Sequence, residues 1–345
     1  GVAMDTRPIG VFDSGMGGLT CVRQMIHLLP GEDIVYFGDT GRVPYGGRSV
    51  ETIVRYARQD VAFLRSFDLK AIVIACGTVS TTALDVLKRE NDLPILGVVQ
   101  PAAKAAASVT KTGNIGIIGT KATIRSGAYE AAISALLPEA KLTAKACPLL
   151  VPLVEDGRVH RGDLVTERVV EEYLAPVKAA GVDTLVLGCT HYPLLMDVIS
   201  DYMGAGVTLI DTGEEAARAA ADLLAQQDRL NDPARSGLRR YYASDSAEDF
   251  AATAKLFLGK DISDRVERIA IENYKKKKKS KQLSKQDLRL LFLSGCETKV
   301  WIGCVGQIAS ACGLKQILNP CRVRLPQLRN LTEVAIIVRT TNEKQ

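Results

Sequence analysis

The chain has 345 residues, 47% of them hydrophobic and 24% charged, which is enough for two domains of ordinary size, each with its own core. Its net charge of +5 sums two unlike parts: residues 275–345 carry 15 Lys and Arg against 4 Asp and Glu, and residues 1–274 carry 29 against 35. The mildly acidic body has no claim to be a nucleic-acid binder, and no apolar run approaches the roughly 18 residues needed to span a bilayer.

At the N-terminus, GVAMDTRP shows neither the basic n-region nor the apolar h-region of a secretory signal, so a cytoplasmic location is expected. Short apolar, β-branched runs then alternate with longer helical patterns, the signature of α/β layering with mainly parallel sheets. The first predicted strands are Pro8–Asp13, Asp33–Gly38, Ala71–Cys76 and Ile95–Val99. Within residues 50–67, apolar side chains recur at Ile53, Val54, Ala57, Val61 and Leu64, a 3.6-residue period that predicts a helix. A second strand series follows at Asn114–Gly119, Leu142–Cys147, Thr184–Cys189 and Val207–Asp211. An Ala- and Leu-rich helix is predicted over 213–227, an amphipathic segment over Ala247–Leu258, and a last strand or extension over Val266–Ile271.

From Lys275 the composition changes. Five consecutive lysines open a stretch with one short apolar run, Val334–Val338, and no core pattern. Such a run is a solvated segment more often than a specific reader of nucleic acid. The abrupt change favours out-of-frame translation after a lysine-coding run over a natural appendage. Residues 275–345 are therefore expected to be a basic tail, disordered or foreign to the fold.

The two strand series look like one motif used twice. Ile9-Gly10-Val11-Phe12 answers Ile115-Gly116-Ile117-Ile118, and Ile72-Val73-Ile74-Ala75-Cys76 answers Leu185-Val186-Leu187-Gly188-Cys189. This implies two similar α/β domains related by a pseudo-twofold axis, with the active site in the cleft between them. Residues 7–100 with 212–274 folding back form the first, and 101–211 the second. Each offers one thiol from the C-terminal end of a strand, where open α/β sheets place their ligands.

The eight cysteines divide evenly between body and tail, and none forms CxxC, so zinc-ribbon and thioredoxin readings lose their signature. In a cytosolic chain disulfides are not expected, and an important cysteine is a free thiol. Cys21 and Cys147, in a helical run and a strand, read as packing. The Asp13-Ser14-Gly15-Met16-Gly17-Gly18 turn suits an anion at a helix N-terminus, although Thr20 ends any match to a dinucleotide fingerprint. A plain tight turn would explain the glycines but not the carboxylate. Cys76, taken alone, reads as a buried small residue. Thr78 and Ser80 at the helix start after it add hydroxyls, and a helix N-terminus favours thiolate. Cys189-Thr190-His191 gathers a thiol, a hydroxyl and an imidazole in one turn, where the imidazole can hold a thiolate or relay protons. No local set reaches the ligand count of a metal site.

These segments resemble the glutamate racemase family, within the aspartate/glutamate racemase superfamily. The resemblance covers residues 7–274 and includes Val43-Pro44-Tyr45-Gly46, Thr120-Lys121-Ala122-Thr123 and Val151-Pro152-Leu153-Val154-Glu155, in order. It implies a cofactor-independent isomerase that supplies D-glutamate for peptidoglycan. Cys76 and Cys189 would be the acid–base pair, with Asp13 the partner of Cys76, and Glu155 and His191 partners of Cys189. Substrate contacts would fall on Asp13, Ser14, Tyr45, Gly46, Gly77, Thr78, Thr120, Thr123, Thr190 and His191. Many members carry Asn after the first cysteine, so Gly77 removes an amide that a backbone N–H or water would replace. The partner implied is glutamate, with no membrane; a homodimer is compatible with the resemblance.

Physical chemistry agrees. Inverting an α-carbon without a cofactor removes a weakly acidic proton from one face and returns one to the other, so two groups on opposite walls are needed. Thiol and thiolate are both accessible near neutral pH after a modest shift. A turnover of order 10 s⁻¹ leaves a barrier of about 16 kcal/mol, which fixed N–H and hydroxyl donors in a water-excluded cleft help to reach. Two other readings stay open: an aspartate racemase of the same architecture, and a two-domain small-ligand binding protein, which the missing export signal and paired Cys-Thr strand ends disfavour.

Overall fold

The computed structural model describes residues 4–273 and two short strands, Val300–Ile302 and Ile336–Val338. The apolar runs form β1 (Ile9–Asp13), β2 (Ile34–Gly38), β3 (Ala71–Ile74), β4 (Ile95–Leu96), β5 (Asn114–Gly119), β6 (Lys141–Ala146), β7 (Thr184–Leu187) and β8 (Thr208–Asp211). Two further strands, β9 (Arg239–Ala243) and β10 (Val266–Arg268), complete the body. β4 is shorter than Ile95–Val99 because Val99 opens the helix Val99–Val109. β3 and β7 stop two residues short of their cysteines: Cys76 already caps the helix Gly77–Thr82, and Cys189 lies in a turn. β9, Arg-Arg-Tyr-Tyr-Ala, is unannounced in the sequence because its charges hide the half that β2 buries.

Two parallel sheets result. One has the order β10-β9-β2-β1-β3-β4, the other β6-β5-β7-β8, and every neighbouring pair in both is parallel. The first four strands of one sheet thus repeat in the other, with the first strand lying between the second and the third. That order reverses chain direction across the sheet beside β1 and again beside β5. The crevices at the C-terminal ends of β1 and β3, and of β5 and β7, are the switch points where such sheets bind ligands. Register places Phe12 opposite Ile74 and Ile118 opposite Leu187. Asp13 and Cys76 therefore emerge side by side, as do Thr120 and Cys189.

Strands buried on both faces carry continuous apolar runs, and alternate side chains serve different cores. Val11, Tyr36 and Val73 share one core with Ile118, Leu185 and Leu187 of the other sheet. Phe12, Ile72 and Ile74 pack instead with Ile53, Ala57, Val61 and Leu64, the apolar stripe of the helix Val50–Leu64. Ile115, Ile117 and Val186 pack with Ala102, Ala103 and Ile133. The helix Thr212–Gln226, capped by Asp211, packs on both Leu19–Leu28 and Val99–Val109 and so ties the sheets together.

No helix among the described residues is long and apolar enough to cross a membrane. Val300–Ile302 and Ile336–Val338 pair antiparallel, although no strand was expected beyond Lys275. The remaining expectation for 275–345 lies outside the described residues.

Candidate active site

Asp13 ends β1, and its side chain is turned back into the protein with 1% exposure. Oδ2 accepts from the Gly15 N–H at 3.0 Å, while Oδ1 is sealed from solvent without a well-formed hydrogen bond. Burial pushes this carboxyl above the usual carboxylate range, against the pull of His191, the Gly15 and Gly18 N–H groups and the Cys76 thiol. The Cys76 thiol donates to Ser14 Oγ at 3.4 Å. The expected lowering by a helix start does not prevail there. Burial, reinforced by the charge of Asp13, pushes the thiol up to about 12, outweighing Ser14 and the Val79 N–H. A buried anion beside another anion costs more than a short helix start returns.

The opposite turn carries the opposite sign. Cys189 Sγ lies 3.9 Å from His191 Nδ1, and His191 Nε2 lies 2.9 Å from Glu155 Oε1. Burial would lower the imidazole pKa, but the bonds to Cys189 and Glu155 and the charge of Asp13 carry it up to about 10. The ring is also fixed edge-on against Phe257, at 5.3 Å between centroids. His191 is thus an imidazole of raised pKa, held between Glu155 and the Cys189 sulfur.

The two turns touch. Thr78 Oγ1 and Thr120 Oγ1 lie 3.2 Å apart across the cleft, and Thr120 caps its own helix by accepting from the Thr123 N–H at 3.2 Å. Thr20 Oγ1 lies 2.9 Å from both the Gly17 and Thr190 carbonyls, pinning one turn to the other. Gly77 has a steric role that the sequence did not reveal: a Cβ there would sit 2.5 Å from the Gly188 carbonyl oxygen. Its bare backbone lets the two cysteine turns abut.

Of the expected residues, Asp13, Ser14, Cys76, Gly77, Thr78, Thr120, Thr123, Glu155, Cys189, Thr190 and His191 are thus linked by these contacts. Gly46 joins them through its backbone, since a Cβ there would be 3.5 Å from Thr120. Tyr45 does not. Its side chain is 1% exposed and its hydroxyl points away, to Asp39 and Asp60. Sequence reasoning missed Thr20, Phe257 and Tyr36, whose hydroxyl donates to the Gly15 carbonyl at 2.8 Å. Thr20 was noticed only as a failed glycine, and no local pattern marks the other two. Cys147 follows β6 and lies outside it; its carbonyl accepts from Tyr192. Among the described residues no cluster of three His, Cys, Asp or Glu could hold a metal.

A thiol beside a buried carboxyl and a thiol beside an imidazole thus stand at the switch points of two like parallel sheets. The Asp/Glu/hydantoin racemase family profile matches residues 9–220. The glutamate racemase of Geobacter metallireducens is 45% identical over 261 residues, 76% of this chain and 96% of that protein. That of Streptococcus gordonii is 46% identical over 261 residues, 75% and 98%. Among solved structures, glutamate racemase from Bacillus anthracis aligns with a TM-score of 0.73 and 39% identity, over 77% of this chain and 98% of that one. The Francisella tularensis enzyme, in complex with D-glutamate, aligns with 0.72 and 35%, over 79% and 100%. The chain belongs to the Asp/Glu/hydantoin racemase family. Within that family, the relatives it matches here are glutamate racemases.

Proposed function

We propose that the chain interconverts L- and D-glutamate with Cys76 and Cys189 as its two bases, each facing one side of the α-carbon. The observation that carries this reading is that the two thiols, at equivalent places in two like sheets, have neighbours of contrary sign, a carboxyl beside Cys76 and an imidazole beside Cys189. Toward L-glutamate, the His191 imidazolium stabilises a Cys189 thiolate that takes the α-proton. Cys76, kept protonated by burial beside Asp13, delivers its proton to the other face. In reverse, the form that this turnover leaves, with Cys76 ionised and Cys189 protonated, takes the α-proton of D-glutamate on Cys76 and delivers the Cys189 proton to the other face. Asp13, whose raised pKa makes it a stronger base than a surface carboxylate, is placed to exchange a proton with Cys76. Glu155 holds His191 charged and aimed.

Ser14, Thr78, Thr120, Thr123, Thr190 and the backbone at Gly46 and Gly77 supply donors for the two carboxylates and the carbanion that forms between the thiols. No cofactor enters the scheme. The sheet membership of the strands supports a division into 7–100 with 212–274, and 101–211. The reaction is assigned to the cytoplasm, as a source of D-glutamate for peptidoglycan. Circular dichroism tests the reading: L-glutamate should lose its signal with purified protein alone, and L-aspartate should be turned over far more slowly. Persistence of the glutamate signal would refute it.

A further inference from the structure

Beneath the 39–47 segment lies a buried charge cluster that the proton chemistry does not use. Asp39 and Asp60 are both 0% exposed and Arg42 is 7% exposed. Arg42 donates through Nε to Asp39 Oδ2 at 2.7 Å and through Nη2 to Asp60 Oδ1 at 2.8 Å, and Nη1 reaches Gln59. The Tyr45 hydroxyl bridges the same two carboxylates, 3.1 Å from Asp60. Ser244, after β9, donates to Asp39 at 2.7 Å and accepts from the Gly41 N–H at 2.8 Å. The Arg42 guanidinium lies 4.1 Å over the Tyr56 ring. Three elements thus hold one loop: the helix Val50–Leu64 through Tyr56, Gln59 and Asp60, the end of β9 through Ser244, and the loop's own Asp39, Arg42 and Tyr45. Two carboxyls face one guanidinium, and burial with the charge of Asp39 pushes Asp60 well above the usual range.

Such a cluster is expensive for mere stability, because desolvating its ionisable groups offsets most of their attraction. What it achieves is placement. The loop's next residues, Tyr45–Gly47, form a single 3₁₀ turn, and Gly46 lies against Thr120 of the other sheet's switch point. We propose that Arg42, locked between Asp39 and Asp60 under Tyr45, is a positioning residue that holds the Tyr45–Gly47 turn as one wall of the substrate site. The proposal rests on the glutamate reading for the identity of that substrate. The turn contributes binding, alike for ground and transition states, and leaves the thiols untouched.

Tyr45→Phe and Arg42→Lys test this with little loss of volume. Removing a hydrogen bond to a charged partner should raise KM for both enantiomers about tenfold while kcat stays within about twofold. Equal stability of the two enantiomers forces kcat/KM to fall equally in both directions, so only the KM-against-kcat split is informative. Arg48 is exposed beside the turn, and trypsin cleavage after it should quicken about tenfold in both variants. That readout needs no activity: if wild-type protein fails to racemise glutamate, the functional reading falls while cleavage still judges the clamp. Unchanged cleavage, or a fall in kcat at constant KM, overturns the proposal. A lowered unfolding temperature with wild-type kinetics does so too, since it makes the cluster purely structural.

Discussion

Substituting Gly17 with alanine should uncouple Cys189 from its imidazolium without touching either thiol. A Cβ at position 17 would collide with Thr190 Oγ1 and come within 2.5 Å of His191 Nδ1, where ordinary contact begins at 3.4 Å. The ring must retreat by about 0.9 Å. It has little freedom to do so, because Glu155 holds Nε2 at 2.9 Å and Phe257 bounds it edge-on. Overpacking of this kind costs about 1–3 kcal/mol, and misplacement of a catalytic group by about 1 Å lowers turnover roughly 10²-fold. Racemisation followed by circular dichroism should therefore fall by about two orders of magnitude, with an unfolding midpoint only a few degrees lower. Proton NMR in heavy water provides the directional readout. Cys76 and Asp13 are undisturbed, so exchange into D-glutamate should outlast inversion. Adding Thr190→Ala frees one of the two colliding side chains and should recover part of the rate. Wild-type kcat in Gly17→Ala, or equal loss of exchange and inversion, would refute the reasoning.

Cys76→Ala and Cys189→Ala should each abolish inversion in both directions; in heavy water the former should wash deuterium only into L-glutamate and the latter only into D-glutamate. Racemisation surviving in either variant sinks the two-base scheme, and exchange into the opposite enantiomers reverses the faces. His191, at about 6.5 unfolded and about 10 folded, contributes stability that is fully present below pH 6.5 and lost as pH rises through 10. Its upper bound is about 5 kcal/mol, so denaturant midpoints should fall across that window more steeply than in His191→Asn, and parallel curves would contradict the charged pairing. Deleting residues 275–345 should leave kcat and folding cooperativity nearly unchanged, and a large loss in soluble truncated protein would assign the tail a role.

Much of this architecture was legible because parallel strands buried on both faces cannot hide: PIGVFD, AIVIAC and TLVLGC read as strands from their apolar continuity alone. The duplication was legible for the same reason, and the shared strand order bears it out. β9 escaped because Arg239 and Arg240 break the run, although its Tyr241, Tyr242 and Ala243 are buried. Polar residues gathered in one short turn, such as Cys189-Thr190-His191, could be read locally. Those acting through a neighbour could not. Thr20 joins Thr190 across 170 positions of sequence, and the side-chain direction of Tyr45 depends on Asp39 and Asp60, which no motif ties to it. Gly77 shows a second limit. Its missing side chain read as an amide absent from the substrate site, and nothing local announced that the Gly188 carbonyl approaches where its Cβ would be.

On the proposed two-base scheme, the likeness of the two sheets also explains why the two thiols need unlike partners. Repeating a βαβ frame about a pseudo-twofold brings equivalent strand ends to opposite sides of one cleft, which answers the geometric need for a base on each face. A perfect repeat would give both thiols the same environment, and inversion needs one protonated while the other is ionised. The sequence breaks the symmetry at the switch points. Gly119 stands where Asp13 stands in the first sheet, so the carboxylate beside Cys76 has no counterpart near Cys189. Thr190 and His191 stand where Gly77 and Thr78 follow Cys76, so the imidazolium has none near Cys76. Burial and an anion bias Cys76 toward thiol, while the imidazole held by Glu155 lies 3.9 Å from the Cys189 sulfur. The proposed scheme therefore makes Cys76 the acid toward the L-enantiomer, and after each such turnover Asp13 is the group positioned to take up or return the proton of Cys76.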